Sequence, residues 1–378
     1  MRFIICLGVV SLFADITYEG ARSISGPFLK GLGATAAQVG FVAGLGEFIG
    51  YALRLVSGSI ADRTRSYWTI TIVGYVVNLF AVPLMAFAGN WPTAALLVAA
   101  ERAAKGMRAP ARDVLLSEAA QRVGRGWGFG LHAAMDQTGA VLGPLFVAWS
   151  VARANGYAPA LLRLAIPAGC AIGALLIARM FDITGASAAP VSRAPQALPR
   201  VFWIYVAAAG LLAAGYADFP IVAFHFEASG LMKPAVIPLM YTVAMAANGI
   251  TAPLFGKLFD RFGLAVLSVG ILFAMAALPL NFFGGMDAAL LGVFCWGTGM
   301  GAMDAVLRSG VSDLVSMNKR GRAFGLFNFV YGAMWLAGSS AMGFLYERSI
   351  LALVILGLVV QAASAAIFFA LRNRLRPA

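Results

Sequence analysis

Long apolar runs dominate this sequence, and they recur so regularly that they limit what the chain can fold into. A membrane-spanning helix needs about 20 mostly apolar residues. Twelve such segments follow one another, separated mostly by short polar stretches. They lie at residues 3–29, 38–61, 68–89, 93–115, 126–152, 158–181, 201–226, 235–259, 264–284, 287–311, 323–345 and 350–371. The sequence therefore predicts an all-α membrane protein with twelve transmembrane helices.

The composition excludes a water-soluble globular fold. Hydrophobic residues make up 61% of the chain and charged residues only 12%, whereas a soluble domain has about 25% charged residues. So few charges could not cover a surface in water, but they suit a surface that faces lipid. The net charge of +12 does not indicate nucleic-acid binding, because the basic residues lie in short clusters between apolar runs rather than on one face.

The basic clusters also predict how the chain is oriented in the membrane. Cytoplasmic loops of membrane proteins are enriched in Lys and Arg. If the N-terminus is cytoplasmic, seventeen basic residues lie in cytoplasmic segments or at cytoplasmic span ends, and only Lys30, Arg153, Lys233 and Arg348 lie outside. We therefore expect a multi-pass protein of a bacterial inner membrane with both termini in the cytoplasm.

One long polar segment divides the spans into two groups of six. Residues 183–200 are rich in Ala, Ser and Pro, a composition that is typical of linkers. We predict an N-terminal six-helix bundle at 1–182, a cytoplasmic linker at 183–200 and a C-terminal six-helix bundle at 201–378.

The two groups of spans carry the same motifs in the same places. A Gly-x-x-x-Asp-Arg motif follows span 2, and a second copy follows span 8 at an offset of 198 residues. Its residues are Gly58, Asp62 and Arg63 in the first copy and Gly256, Asp260 and Arg261 in the second. Further matches between span 5 and span 11, such as Gly143 with Gly338, have an offset of 195. This repetition predicts two similar bundles related by an axis along the membrane normal.

The paired motifs resemble the cytoplasmic-loop signature of the major facilitator superfamily of secondary transporters. The resemblance implies two pseudo-symmetric bundles that work by alternating access, and it implies that the motifs act as a gate favouring one access state. It also implies that spans 1 and 4 line a central cavity. The first copy departs from the family pattern, with Arg65 where the family prefers glycine, whereas the second copy keeps Gly263.

Span 5 carries a second resemblance to part of this family. Its small residues are similar to the antiporter signature of members that exchange protons for drugs or metabolites. The matching residues are Gly130, Gly139, Gly143 and Pro144. Val147 and Ala148 replace two glycines of that signature, and ordinary helix packing by small residues remains an equal alternative. The motif therefore favours efflux by antiport without deciding it.

Ionisable side chains within the spans are candidates for function, because a charge in lipid is costly. Burial disfavours the charge of a carboxyl group and a nearby Arg favours it, so alternating access can load and unload a proton. The predicted proton-coupling residues are Asp15 and Glu47 first, then Asp136, with Glu19 beside them. The predicted substrate-binding or charge-pairing residues are Arg22, Arg54, Lys105, Arg108, Asp218 and Asn248.

The sequence has no recognisable nucleotide, catalytic or metal-binding motif. We therefore expect no enzyme activity, no cofactor and no metal, and we expect a monomer whose partners are a small-molecule substrate, protons and the lipid bilayer. The prediction is a proton-coupled secondary transporter that favours efflux by antiport. The alternatives are a proton-coupled uptake symporter of a small organic anion, a lipid flippase on the same fold, and a membrane sensor or assembly factor. Buried acids and bases nearly balance, so the charge of the substrate stays open.

Overall fold

The computed structural model describes residues 2–120, 124–154, 156–181, 198–316 and 319–371, and these residues are helical almost throughout. They form fifteen α-helices and a short 3-10 helix at Met85–Phe87. The α-helices are α1 Arg2–Arg22, α2 Ser25–Gly31, α3 Ala36–Thr64, α4 Tyr67–Leu84, α5 Trp91–Ala120, α6 Arg125–Ala154, α7 Tyr157–Arg163, α8 Ala165–Met180, α9 Arg200–Gly215, α10 Phe219–Ala228, α11 Ile237–Phe262, α12 Ala265–Phe283, α13 Met286–Leu314, α14 Arg320–Arg348 and α15 Ile350–Leu371.

All twelve predicted spans contain these helices, which confirms the all-α membrane fold. Nine segments among the described residues are long and apolar enough to cross a membrane. The other three predicted spans are α5, α6 and α14, which have 30, 30 and 29 residues. At 1.5 Å per residue they exceed the hydrocarbon thickness of about 30 Å. Their charged and polar residues, rather than their length, separate them from the other nine.

Contacts divide the described chain into two compact units. The first unit comprises Met1–Ala34, Ile49–Pro190 and Lys233–Thr242, and the second comprises Thr35–Phe48, Val191–Met232 and Val243–Ala378. The first part of α3 thus belongs to the second unit, and the first part of α11 belongs to the first. Most of the predicted linker at 183–200 lies outside the described residues, so the predicted bundle boundaries remain a prediction.

In the first unit, α1 packs closely against α6 because glycines remove the side chains between them. A Cβ atom on Gly139 would meet the carbonyl of Leu12 and would lie 2.9 Å from Cβ of Asp15. A Cβ atom on Gly143 would lie 2.6 Å from the carbonyl oxygen of Ile16. These two glycines therefore set the distance between α1 and α6.

The second unit repeats this arrangement between α9 and α14. Gly338, which aligns with Gly143 in the sequence repeat, abuts the backbone of Ala214, and a Cβ atom there would overlap it. The sequence repeat is thus also a repeat of helix packing.

Both Gly-x-x-x-Asp-Arg motifs are followed by the same turn. The N–H of Arg65 donates to the carbonyl of Ala61 at 2.8 Å, and the N–H of Gly263 donates to that of Phe259 at 2.7 Å. Arg65 and Gly263 both have positive φ angles, 52° and 63°. A residue in this left-handed conformation is a common way to end a helix.

Span 7 is a broken helix, because α9 ends at Gly215 and α10 begins only at Phe219. Such a break leaves backbone groups without helical partners, and lipid supplies none. Side chains of other helices in the second unit supply them instead. Gln361 Nε2 donates to Gly215 O at 2.7 Å, and Trp296 Nε1 donates to Ala217 O at 2.8 Å. Trp335 Nε1 donates to the side-chain Oδ2 of Asp218, the residue that precedes α10, at 3.1 Å.

Candidate functional site

Three carboxyl groups and one lysine gather where α1, α5 and α6 meet in the first unit. Asp15 and Glu19 lie one turn apart on α1 and are only 3% and 9% exposed. Asp136 projects from α6 beside Asp15, and Lys105 projects from α5 beside Glu19. We refer to Asp15, Glu19, Lys105 and Asp136 as the acid–lysine cluster. All four were predicted as site residues, and the structure brings them together.

Asp15 and Asp136 form the first half of the acid–lysine cluster. Their carboxyl groups lie within hydrogen-bonding distance of each other. The close approach follows from Gly139, one turn after Asp136, which lets α6 rest against Asp15. A carboxylate has no proton to donate, so a hydrogen bond between two carboxyl groups requires that one of them is protonated. A hydrogen bond between Asp15 and Asp136 thus requires one bound proton.

Glu19 and Lys105 form the second half. Lys105 Nζ lies 3.5 Å from Glu19 Oε1 and 3.5 Å from the centroid of the Tyr18 ring. The hydroxyl of Tyr241 donates to Glu19 Oε2 at 2.6 Å. The ammonium group thus has a carboxylate and an aromatic face as partners, while 21% of the Lys105 side chain remains exposed.

Arg108 lies in a different network, between α4 and α5. Its guanidinium group lies 3.7 Å from the ring centroid of Tyr75, and it donates to Asn78 Oδ1 at 3.3 Å. Asn78 Nδ2 in turn donates to Glu101 Oε1 at 2.7 Å, and Arg102 pairs with Glu101 at 3.1 Å. This buried network joins two helices within the first unit and holds Arg108 against α4.

The remaining predicted charges of the first block lie on α1 and α3. Arg22 is partly buried at the end of α1 and acts electrostatically on Glu19. Glu47 and Arg54 are partly buried on α3, and the guanidinium group of Arg54 lies 5.3 Å from the ring centroid of Tyr51. The role of Glu47 as a proton carrier stays a prediction.

The predicted polar residues of the second unit each have a partner there. Asp218, at the break in span 7, accepts a hydrogen bond from Trp335 Nε1 at 3.1 Å. Asn248 Nδ2 donates to Asp304 Oδ2 at 3.1 Å and so links α11 to α13.

The predicted gating motifs lie at helix ends, where Asp62, Arg63, Asp260 and Arg261 are exposed. Asp62 Oδ1 accepts a hydrogen bond from the Tyr67 hydroxyl at 3.2 Å, which ties the end of α3 to the start of α4. Gly58 faces Pro110 of α5, and Gly256 faces Ala305 of α13. A cavity of about 380 Å³ adjoins the second motif and is lined by Phe259, Asp260, Gly263, Ser309, Ser312 and Asp313.

The antiporter-like motif of span 5 has two different parts. Gly139 and Gly143 contact α1, and Pro144 is buried within α6. Gly130 has no heavy atom within 4 Å of the place where a Cβ would stand, among the residues that the structure describes. Part of the motif therefore holds Asp136 against Asp15.

Several residues at these sites were not predicted as site residues from the sequence, among them Tyr18, Tyr241 and Asn78. Tyr18 directly precedes Glu19, and Asn78 interrupts an apolar run, so both left a signal. Tyr241 meets Glu19 across 222 residues of sequence, and no spacing indicates that contact.

Comparison with known proteins decides the family. The sequence model of the Major Facilitator Superfamily matches residues 7–339. The chain belongs to the major facilitator superfamily. It is therefore a multi-pass membrane protein of a family of secondary transporters, whose partners include a small-molecule substrate and the lipid bilayer.

Relatives of this superfamily member occur in bacteria and archaea. An uncharacterized protein of Mycobacterium tuberculosis (strain ATCC 25618 / H37Rv) is 40% identical over 380 residues, covering 98% of this chain and 93% of that protein. An uncharacterized MFS-type transporter of Methanocaldococcus jannaschii is 25% identical, covering 91% of this chain and 88% of that protein.

Solved structures of transporters share the fold. The nucleoside transporter NupG has a TM-score of 0.73 at 14% identity, with 98% of each chain covered. The peptide transporter POT in complex with sulfate has a TM-score of 0.79 at 14% identity, covering 99% of this chain and 94% of that chain.

Proposed function

We propose that the protein is a proton-coupled antiporter that exports a small molecule. The observation that carries this proposal is the contact between the carboxyl groups of Asp15 and Asp136. Two adjacent carboxylates repel each other, so the pair favours holding one proton. Because alternating access changes which side wets the cavity, such a pair can take up a proton from one side and release it to the other.

Lys105 connects this pair to the rest of the acid–lysine cluster. It contacts Glu19 directly and also acts electrostatically on Asp15. A positive charge near Asp15 favours the ionised form of the pair, so any ligand that moves Lys105 changes the tendency of the pair to lose its proton. Proton binding and substrate binding are then linked reciprocally.

Uptake of an organic anion with a proton is the second candidate. It is favoured by the exposed fifth of the Lys105 side chain, which could receive an anionic group. A lipid flippase has less support, because transport of a lipid does not require the paired charges of the acid–lysine cluster.

We also propose that the two Gly-x-x-x-Asp-Arg motifs stabilise the outward-open state. The hydrogen bond from Tyr67 to Asp62 supports this role because it fixes the end of α3. Asp62→Asn and Asp260→Asn should increase the labelling, from the cytoplasmic side, of cysteines introduced into the central cavity. Unchanged labelling in both variants would reduce the motifs to helix-end packing.

The test of coupling is transport into proteoliposomes with an imposed pH gradient, screened against a collection of small molecules. Asp15→Asn and Asp136→Asn should each abolish gradient-driven accumulation of the substrate found, while counterflow without a gradient persists, because an amide cannot carry the proton. Asp287→Asn is the matched control, since it makes the same change at an exposed residue of α13. Gradient-driven transport that survives both cluster substitutions would contradict the proposal.

A further inference from the structure

Lys105 occupies a small cage within the acid–lysine cluster. The ring of Tyr18, the carboxylate of Glu19 and the hydroxyl of Tyr241 form this cage. We call these three groups together the α1 cage. Lys105 Nζ lies 3.5 Å from the Tyr18 ring centroid and 3.5 Å from Glu19 Oε1. An aromatic face next to a carboxylate is the arrangement with which proteins recognise organic cations. The α1 cage is thus a cation site, and its occupant is a side chain of the protein itself.

The hydrogen bond from Tyr241 holds the α1 cage in place. Its hydroxyl donates to Glu19 Oε2 at 2.6 Å, which leaves the other carboxylate oxygen for the cation. Tyr241 is 1% exposed, so this oxygen of Glu19 is fixed from the protein side.

Lys105 has a second negative partner within reach. Asp15 lies one turn before Glu19 on α1, about 6 Å along the axis, and already interacts electrostatically with Lys105. A lysine side chain has a flexible four-carbon stem, so its ammonium group can move from Glu19 toward Asp15 without a change in the helices.

Other charges also face the cluster, and two of the arginines among them have carboxylate partners of their own. Arg102 and Arg22 act on Glu19, Glu101 acts on Lys105, and Arg112 and His132 act on Asp136. Arg102 pairs with Glu101 at 3.1 Å and Arg112 pairs with Asp113 at 2.8 Å. An added anion would join a site with three carboxyl groups, whereas an added cation replaces a charge that Lys105 now supplies.

We propose that the α1 cage binds the cationic group of the substrate, a lipophilic ammonium or similar organic cation, and that Lys105 is its displaceable internal occupant. A bound cation moves Lys105 toward the pair of Asp15 and Asp136, and the proton of that pair leaves to water. One positive charge enters and one proton leaves, so the charge of the site is unchanged. This inference rests on the proposed function, because it takes that pair as the carrier of the exchanged proton.

The test uses purified full-length protein in detergent and two probes of the same shape and opposite charge. Tetraphenylphosphonium should bind in a saturable manner and release about one proton per bound cation, seen with a pH-sensitive dye in weakly buffered solution. Tetraphenylborate should bind without saturation. Saturable binding of the borate that is lost in Lys105→Met would overturn the inference in favour of an anion site.

Substitutions separate the roles of the residues. In Lys105→Met the α1 cage is vacant, so the affinity for tetraphenylphosphonium should rise about tenfold if Lys105 occupies the cage about 90% of the time, while proton release is lost. Glu19→Gln and Tyr18→Leu should weaken binding at least tenfold, and Tyr18→Phe should retain it. Lys233→Met, at an exposed lysine, is the matched control and should change neither reading.

Failure of both the wild type and Lys105→Met to bind the phosphonium would overturn the inference, as would a Lys105→Met variant that binds no more tightly and still releases a proton. Neither result contradicts the proposed function if Asp15→Asn still abolishes gradient-driven transport of another substrate. Conversely, if phosphonium binding follows these expectations but Asp15→Asn leaves gradient-driven transport intact, the cation site stands and the proton carrier has been wrongly assigned.

Discussion

Arg65 and Gly263 hold the same left-handed backbone conformation at equivalent positions of the two repeated motifs, with φ angles of 52° and 63°. Each closes its helix with a hydrogen bond to the carbonyl four residues earlier. Glycine adopts this conformation freely, whereas a residue with a Cβ loses about 1–2 kcal/mol. The turn therefore requires this geometry in both copies, and only the first copy meets it with a strained residue.

Arg65→Gly should stabilise the protein, and Gly263→Arg should destabilise it. The first change removes the strain but gives the unfolded chain more freedom, so the net gain is up to about 1 kcal/mol. The second change adds strain, and its cost is about 1–2 kcal/mol. Thermal unfolding in detergent measures both. A lower midpoint for Arg65→Gly would mean that the Arg65 side chain makes contacts worth more than the strain.

Gly139→Ala and Gly130→Ala should have opposite effects, although both belong to the antiporter-like motif. A methyl group at 139 collides with Leu12 and Asp15, whereas at 130 it has free space. Gly139→Ala should lower the unfolding midpoint and weaken proton coupling, because it separates Asp136 from Asp15. Gly130→Ala should stabilise the helix by up to about 1 kcal/mol. Equal effects of the two substitutions would contradict the packing role of Gly139.

Asn78→Ala should destabilise the protein strongly without abolishing coupling. Asn78 bonds to both Glu101 and Arg108, and its loss leaves two buried charges with fewer partners. A hydrogen bond to a charged group contributes about 1.5–3 kcal/mol, so the loss of both should be a large fraction of the total stability. Asn328→Ala, at a partly buried amide of α14, is the matched control and should cost less than about 1 kcal/mol. Similar midpoints for the two variants would contradict the structural role of Asn78.

Glu347 should make the stability depend on pH. It lies beyond the predicted end of span 11, and hydrogen bonds from the Thr35 side chain and from the Ala37 N–H, the latter at 2.8 Å, lower the pKa of its carboxyl group. A lowered pKa in the folded state gives stability that is present above the unfolded value, about 4.3, and that is lost as the pH falls through the folded value.

The measurement is the unfolding midpoint of the wild type and of Glu347→Gln across a pH series. The wild type should be the more stable near neutral pH. The difference should shrink once the pH falls below the unfolded value of about 4.3 and vanish below the lowered pKa of the folded state. A difference that stays constant across the series would show that these hydrogen bonds do not depend on the charge of Glu347.

Cysteine labelling should test the predicted orientation. The three free cysteines, Cys6, Cys170 and Cys295, are first replaced. An impermeant maleimide should then label Lys233→Cys in intact cells and should label Arg193→Cys only after the membrane is opened. Residue 193 lies outside the described residues, so this variant also tests the predicted linker. Tags on both termini should be cytoplasmic. The reverse pattern of labelling and of tag location would contradict the predicted topology.

The fold could be predicted from the sequence because a bilayer imposes simple rules. Apolar runs of about 20 residues form helices in lipid, and the matched motifs predicted the repeat that Gly143 and Gly338 display in their packing. The break in span 7 was not predicted, because the apolar run continues through Tyr216 and Ala217. Asp218 and Pro220 are a local signal for a new helix start, but the side chains that satisfy the break come from other helices and left no signal in the sequence.

The candidate site could be predicted only in part. Lys105 and Arg108 are three residues apart, close enough to share a helix face by sequence spacing. In the structure the two side chains nevertheless contact different helices. Lys105 contacts Glu19 on α1, and Arg108 contacts Asn78 on α4. The spacing of residues along one helix does not show which neighbouring helix each residue contacts. That contact determines which of the two charges belongs to the acid–lysine cluster.

The break between α9 and α10 has a consequence for how substitutions combine. Three residues from three helices, Trp296, Trp335 and Gln361, each donate a hydrogen bond to a different residue of the short segment from Gly215 to Asp218. Loss of any one of these hydrogen bonds loosens the segment between α9 and α10 and so weakens the other two. The stability effects of substituting these residues should therefore be non-additive in double-mutant cycles. Substitutions at positions up to 65 residues apart in the chain, 296 and 361, should therefore change stability as one coupled unit rather than independently.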